Sequence, residues 1–144
     1  MVVRNLIFWL SSQKAVTDAI ARRGMKYGFA QRFIAGQTLA EALDASLALN
    51  RAARRISLNH LGKNVRTESE AARVRDAYLG MLRALDTRGL DCNLSIKLTQ
   101  LGLDIRRDLC QQFTGEIADE AARLGRTLEV DMEGSAYTEA TGPS

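Results

Sequence analysis

Two charged side chains carry most of the chemistry this sequence can offer. One is Lys97, in the run Asn93-Leu94-Ser95-Ile96-Lys97-Leu98; the other is Asp131, in Leu128-Glu129-Val130-Asp131-Met132-Glu133. Apolar Leu94, Ile96 and Leu98 alternate with Asn93, Ser95 and Lys97, and the loop Thr99-Gln100-Leu101-Gly102 follows at once. Alternation with period two, closed by a turn, predicts a strand over 92–98. The second run predicts another over 127–132, ending in carboxylates. An ammonium at the end of a half-buried strand must be paired, or its burial costs roughly several kcal/mol or shifts its pKa. Two parallel strands that both finish in a charged side chain point to one shared pocket. A salt bridge tying adjacent strand ends uses the same residues, and residue types alone leave both readings open.

Helices must hold those strands. Thr38-Leu39-Ala40-Glu41 is a capping box, and Leu39, Leu43 and Leu47 continue it at helical spacing, so a helix is expected over 39–52. Ile56 to Leu61 reads as a short strand ending at Gly62. A second capping box, Thr67-Glu68-Ser69-Glu70, opens a long helix with the stripe Ala71, Val74, Tyr78, Leu82 and Leu85, stopped by Gly89. A further helix over 107–124 presents Leu109, Phe113, Ile117 and Leu124 and stops at Gly125. Residues 4–24 suggest a basic amphipathic helix with Trp9, able to pack on its own domain or to lie on a membrane.

Alternating strand and helix gives parallel strands with right-handed crossovers. An open doubly wound sheet and a (β/α)8 barrel both fit. The first strand–helix turn lacks GxGxxG, which weighs against a dinucleotide fold. Asn59, Lys97 and Asp131 all fall at C-terminal strand ends, where barrels place functional groups. The expectation is therefore an α/β chain holding the first three parallel strands of a partial TIM barrel. N-terminal helices (1–52) would precede the strand–helix units (53–138), with a frayed tail at 139–144. A whole barrel takes about 250 residues, so this chain of 144 residues reads as the N-terminal portion of something longer. Open edges and uncovered faces would then make it poorly stable or self-associating.

Charge is uneven along the chain. Residues 1–66 hold 11 Lys and Arg against 3 Asp and Glu, whereas residues 67–144 hold 9 against 14. A solvated arginine-rich face explains this, as would contact with an anionic surface. Nucleic-acid binding ranks last, because no recognised motif or aromatic interleaving accompanies the arginines. Cys92 and Cys110 sit among apolar neighbours without CxxC spacing, and His60 is the single histidine. Reduced buried thiols, no metal site and a cytoplasmic setting are expected. The apolar start Leu6–Leu10 is too short for a membrane span.

Three blocks carry a family likeness: Arg32-Phe33-Ile34-Ala35-Gly36-Gln37-Thr38-Leu39, Ser95-Ile96-Lys97-Leu98-Thr99-Gln100-Leu101-Gly102-Leu103-Asp104, and Asp131-Met132-Glu133-Gly134-Ser135-Ala136-Tyr137-Thr138. In order and spacing they resemble the short monofunctional bacterial proline dehydrogenases. The resemblance implies oxidation of L-proline to Δ1-pyrroline-5-carboxylate, with a hydride passed to FAD and electrons to membrane quinone. It further implies peripheral contact with the inner membrane face. Lys97 matches the lysine that helps to hold the substrate carboxylate, Asp131 the active-site aspartate beside substrate and flavin, and Met132 the following position that touches FAD. Glu133 and Tyr137 are given neighbouring roles only. The alternative is an inactive remnant that binds a membrane surface or a protein. Where the family's first-strand block reads Asp-x-Leu-Gly-Glu, this chain has Asn59-His60-Leu61-Gly62-Lys63. Lys63 would repel the late arginine that the family's glutamate pairs with, so gating should differ. His60 is read as packing or exposed. The paired arginines that grip the carboxylate are expected in later strands and helices.

Overall fold

The computed structural model describes residues 35–36, 38–62 and 65–131. The basic segment 4–24, Lys63, Met132, Glu133, Tyr137 and the tail lie outside the described residues. The chain divides into two compact units at Ala45–Ser46, and the site belongs to the second.

Helix α1 (Leu39–Arg51) opens where the capping box predicted: Thr38 Oγ1 accepts from the Glu41 amide, and the Glu41 carboxylate accepts from the Thr38 amide. Its last turn sets the entry to the sheet. Asn50 Nδ2 donates to the carbonyls of Arg54 and Asp91, and the Asp91 amide donates back to Asn50 Oδ1 at 2.9 Å. One side chain thus aligns the starts of two strands.

Strands β1 (Ile56–Asn59), β2 (Cys92–Ile96) and β3 (Leu128–Val130) form a parallel sheet in the order β1-β2-β3. Its register runs from Ile56 opposite Cys92 to Asn59 opposite Ser95, and from Leu94 opposite Leu128 to Ile96 opposite Val130. Helix α2 (Glu68–Thr87) joins the first two strands and α3 (Arg107–Arg123) joins the second two. The two helices pack on one another and so share a face of the sheet. Three sequential parallel strands with both crossovers on one side are the opening of an α/β barrel, as expected.

The core lies under that shared face. Leu94, Ile96, Tyr78, Leu82, Leu85 and Ile117 are fully buried. Of the stripe expected on α2, Val74 is only half-buried and Met81 is buried instead. Arg75 lies across the Phe113 ring, 4.8 Å from its centroid, and pairs with Glu116, which locks α2 to α3. Both cysteines are free and buried, and burial pushes each thiol up from its ordinary pKa.

The strands are shorter than alternation suggested. β1 ends at Asn59, the last residue in register with β2, and Leu61 beyond it is 71% exposed. β2 ends at Ile96, because Leu98–Leu101 winds into a 3-10 turn. The Gln100 amide donates to the Lys97 carbonyl at 3.1 Å, and Gly102 closes the turn at φ +93, a backbone region that glycine adopts without a Cβ clash. Leu98 therefore leaves the strand, while Lys97 stays extended at its end.

Candidate functional site

Odd-numbered residues of the three strands share the sheet face opposite the helices, since side chains alternate along each strand. Parallel register stacks them in tiers. In the first tier Glu129 accepts from Ser57 Oγ at 2.7 Å and from Asn93 Nδ2 at 3.0 Å. In the second, towards the C-terminal ends, Asp131 accepts from Ser95 Oγ at 2.7 Å through Oδ1. Its Oδ2 accepts from Asn59 Nδ2 at 2.7 Å and stands 3.2 Å from Lys97 Nζ. The Asp131 amide donates to the Ile96 carbonyl at 2.9 Å, which extends the β2–β3 pairing one residue past the strand. The lysine and the aspartate expected to meet at one mouth do meet there.

Both carboxylates are held in their charged form. The Ser95 hydroxyl, with smaller contributions from Lys97 and Asn59, lowers the pKa of Asp131 against the opposing effect of burial. Ser57 and then Asn93 lower that of Glu129. Lys97 and Asp131 keep 27% and 38% of their side-chain surface open, so a ligand can reach both. An ammonium offers three donors, and a carboxylate alongside suits a zwitterion with its two charges in the opposite order.

Asn59 departs from the family block and has a clear local consequence. Its amide donates where an aspartate could not, and it removes one of two carboxylates that would otherwise face each other. Its Oδ1 is buried and has no hydrogen-bond partner among the described residues.

No family model matches the chain. Proline dehydrogenase 1 of Bacillus subtilis subsp. natto is 30% identical over 140 residues, which is 97% of this chain and 46% of that protein. The proline dehydrogenase of Deinococcus radiodurans is 26% identical over 125 residues, 85% of this chain and 40% of that protein. Over most of its length the chain is similar to part of these proline dehydrogenases. A crystal structure of proline utilization A from Bdellovibrio bacteriovorus, inactivated by N-propargylglycine, superposes with a TM-score of 0.74 at 19% identity. It covers 87% of this chain and 16% of that one, a likeness of fold. The chain spans about half the length of the curated proline dehydrogenases it matches.

Against that proline dehydrogenase frame, Lys97 and Asp131 occupy the second strand end and the position just past the third. Met132, assigned to the flavin, lies outside the described residues. His60 packs: its ring meets Tyr78 edge-on at 5.9 Å between centroids. Reading the residues alone missed Ser95, which donates to Asp131 at 2.7 Å, and the tier formed by Ser57, Asn93 and Glu129. A signal for them exists in the sequence. Once the strands are taken as parallel and sequential, Ser57, Asn93 and Glu129 repeat at 36-residue spacing, as do Asn59, Ser95 and Asp131.

Proposed function

We propose that the chain carries the substrate-facing part of a proline dehydrogenase, which oxidises L-proline to Δ1-pyrroline-5-carboxylate. The observation that carries this reading is the ammonium of Lys97 beside the carboxylate of Asp131 at the C-terminal sheet end, in a chain whose curated relatives bear that name. Lys97 binds the carboxylate of proline as a point charge. Asp131, kept ionised by Ser95, Asn59 and Lys97, faces the ring nitrogen. As the substrate becomes an imine, positive charge develops at that nitrogen, and a fixed carboxylate stabilises it. FAD, when bound, accepts the hydride at N5. The described residues fit the amino-acid zwitterion; the flavin contact in this reading falls on Met132. Membrane quinone would be the final electron acceptor in this reading. Peripheral contact would use the basic N-terminal segment, and no described helix is long and apolar enough to cross a membrane.

The test is direct. The purified 144-residue protein is incubated with FAD, desalted, and its visible flavin absorbance followed anaerobically as L-proline is added. Retained flavin that bleaches with proline, and recovers its colour with a soluble quinone, supports the reading. D131N should keep the flavin and lose the bleaching. Flavin that washes away, or that proline leaves oxidised, sinks it for this chain.

A further inference from the structure

Behind the site lies a buried polar contact that the chemistry above does not use. Tyr78 of α2 and Gln100 of the turn after β2 are 0% and 4% exposed. Tyr78 Oη donates to Gln100 Oε1 at 2.9 Å. An amide and a phenol withdrawn from water gain little net stability from one mutual hydrogen bond, and apolar groups would fill the same space. The contact therefore calls for a purpose other than packing.

Its place in the fold supplies one. The backbone of Gln100 donates to the Lys97 carbonyl at 3.1 Å, so anchoring this side chain anchors the peptide that ends the lysine strand. The far end of the turn is pinned to the same helix: a Cβ on Gly102 would sit 3.4 Å from the Cβ of Ala71 in α2. Gln100 Nε2 reaches the segment after β1, where a Cβ on Gly62 would lie 3.1 Å from it and 3.8 Å from His60 Nε2. Three pieces of chain thus converge on one amide: α2, the segment leaving β1, and the turn that Lys97 begins.

We propose that Gln100 and Tyr78 are positioning residues, which clamp the Leu98–Leu101 turn so that the Lys97 ammonium is held on Asp131. This deepens the site reading above and rests on it for its catalytic meaning, while the clamp itself can be tested without flavin or turnover. Because Gly62 closely approaches the same amide, movement of the segment after β1 is felt at the lysine.

The readout is the pH midpoint of the Asp131 carboxylate, followed by carbon-13 NMR in the full 144-residue protein. Among the described residues, the charged groups bearing on that carboxylate are Lys97 from the end of β2 and Glu129 from β3; Asn59 and Ser95 are neutral donors. K97M defines the full upward shift that loss of the ammonium produces. Q100L and Y78F should each recover at least half of that shift. L85A, a core truncation on the same helix, should lower the melting temperature and leave the midpoint where it was. G62A, which crowds Gln100 without deleting it, should move the midpoint in the same direction as Q100L and serves if the other variants fail to fold. Midpoints that stay at the wild-type value in folded Q100L, Y78F or G62A overturn the proposal. So does an equal shift in L85A, which would mark a general loosening of the core. A clamp that passes this test in a protein that retains no flavin would leave the proposal standing and remove the proline dehydrogenase reading.

Discussion

Lys97 Nζ stands 3.2 Å from Asp131 Oδ2, joining the end of the second strand to the residue just past the third. Both groups are partly open to solvent, so the pair adds little stability, about 0–1 kcal/mol. In the proposed reading its worth is in ligand binding. A charge-assisted hydrogen bond to a substrate carboxylate contributes about 1.5–3 kcal/mol, which corresponds to roughly 10–100-fold in affinity. K97M should therefore raise KM for L-proline by about that factor, measured as proline-dependent flavin bleaching, with a small change in thermal stability.

Ser95, then Lys97 and Asn59, hold Asp131 in its charged form. N59D would set a second carboxylate where Asn59 Nδ2 now lies 2.7 Å from Asp131, and like charges so close share a proton. The pair's pKa should rise. A carboxyl raised in the folded state costs stability once the pH exceeds its unfolded pKa, so N59D should fall further below wild type as pH climbs from about 4 to 7. S95A, which deletes the largest contribution holding Asp131 down, should raise the midpoint without introducing repulsion. Melting temperature against pH separates the two.

Glu120 governs part of the acid limb. Hydrogen bonds from Arg123 and Arg83 hold its carboxyl down at about 2, from an ordinary value of 4.5. A depressed carboxyl stabilises the fold above its unfolded pKa, and that contribution disappears as pH falls through the folded one. Wild type should lose it between pH 4.5 and about 2. E120Q should flatten the melting curve in that interval and leave neutral pH less affected.

Leu82 lies fully buried on α2 beneath the sheet. L82A removes a large apolar group from a packed interior and should cost about 2–5 kcal/mol. T67A, which deletes the hydroxyl that accepts from the Glu70 amide at the start of the same helix, should cost about 1 kcal/mol. Urea unfolding followed by circular dichroism measures both.

Val130 is 41% exposed on β3, and among the described residues β3 pairs only with β2. An unpaired edge with an exposed branched apolar residue is a template for another strand. The isolated chain should associate with rising concentration in sedimentation velocity, and V130K should shift it towards monomer. A sharp cooperative melt with monomeric mass at high concentration would refute this.

Much of the architecture was legible in the chain itself, because local rules act at short range. The capping boxes at Thr38 and Thr67 marked two helix starts, the glycines at 89 and 125 marked two ends, and alternation located all three strands. The strand limits were not legible. Leu98 continues the alternation with Leu94 and Ile96, yet backbone bonds from Gln100 and Gly102 turn it out of the sheet. Leu61 continues β1 in pattern, yet β2 offers no partner beyond Ser95.

At the site the division is similar. The residue types and the blocks around Lys97 and Asp131 were present in the linear sequence, since charge at a strand end is a local property. Which donors would serve Asp131 was a matter of register. Asn59 and Ser95 lie 72 and 36 residues away from it, and only the pairing of three parallel strands brings them within 2.7 Å. Gln100 was likewise one polar residue in a loop until the packing of α2 buried it against Tyr78. The order of residues determined what chemistry was available. Long-range pairing and the exclusion of water decided which groups would meet.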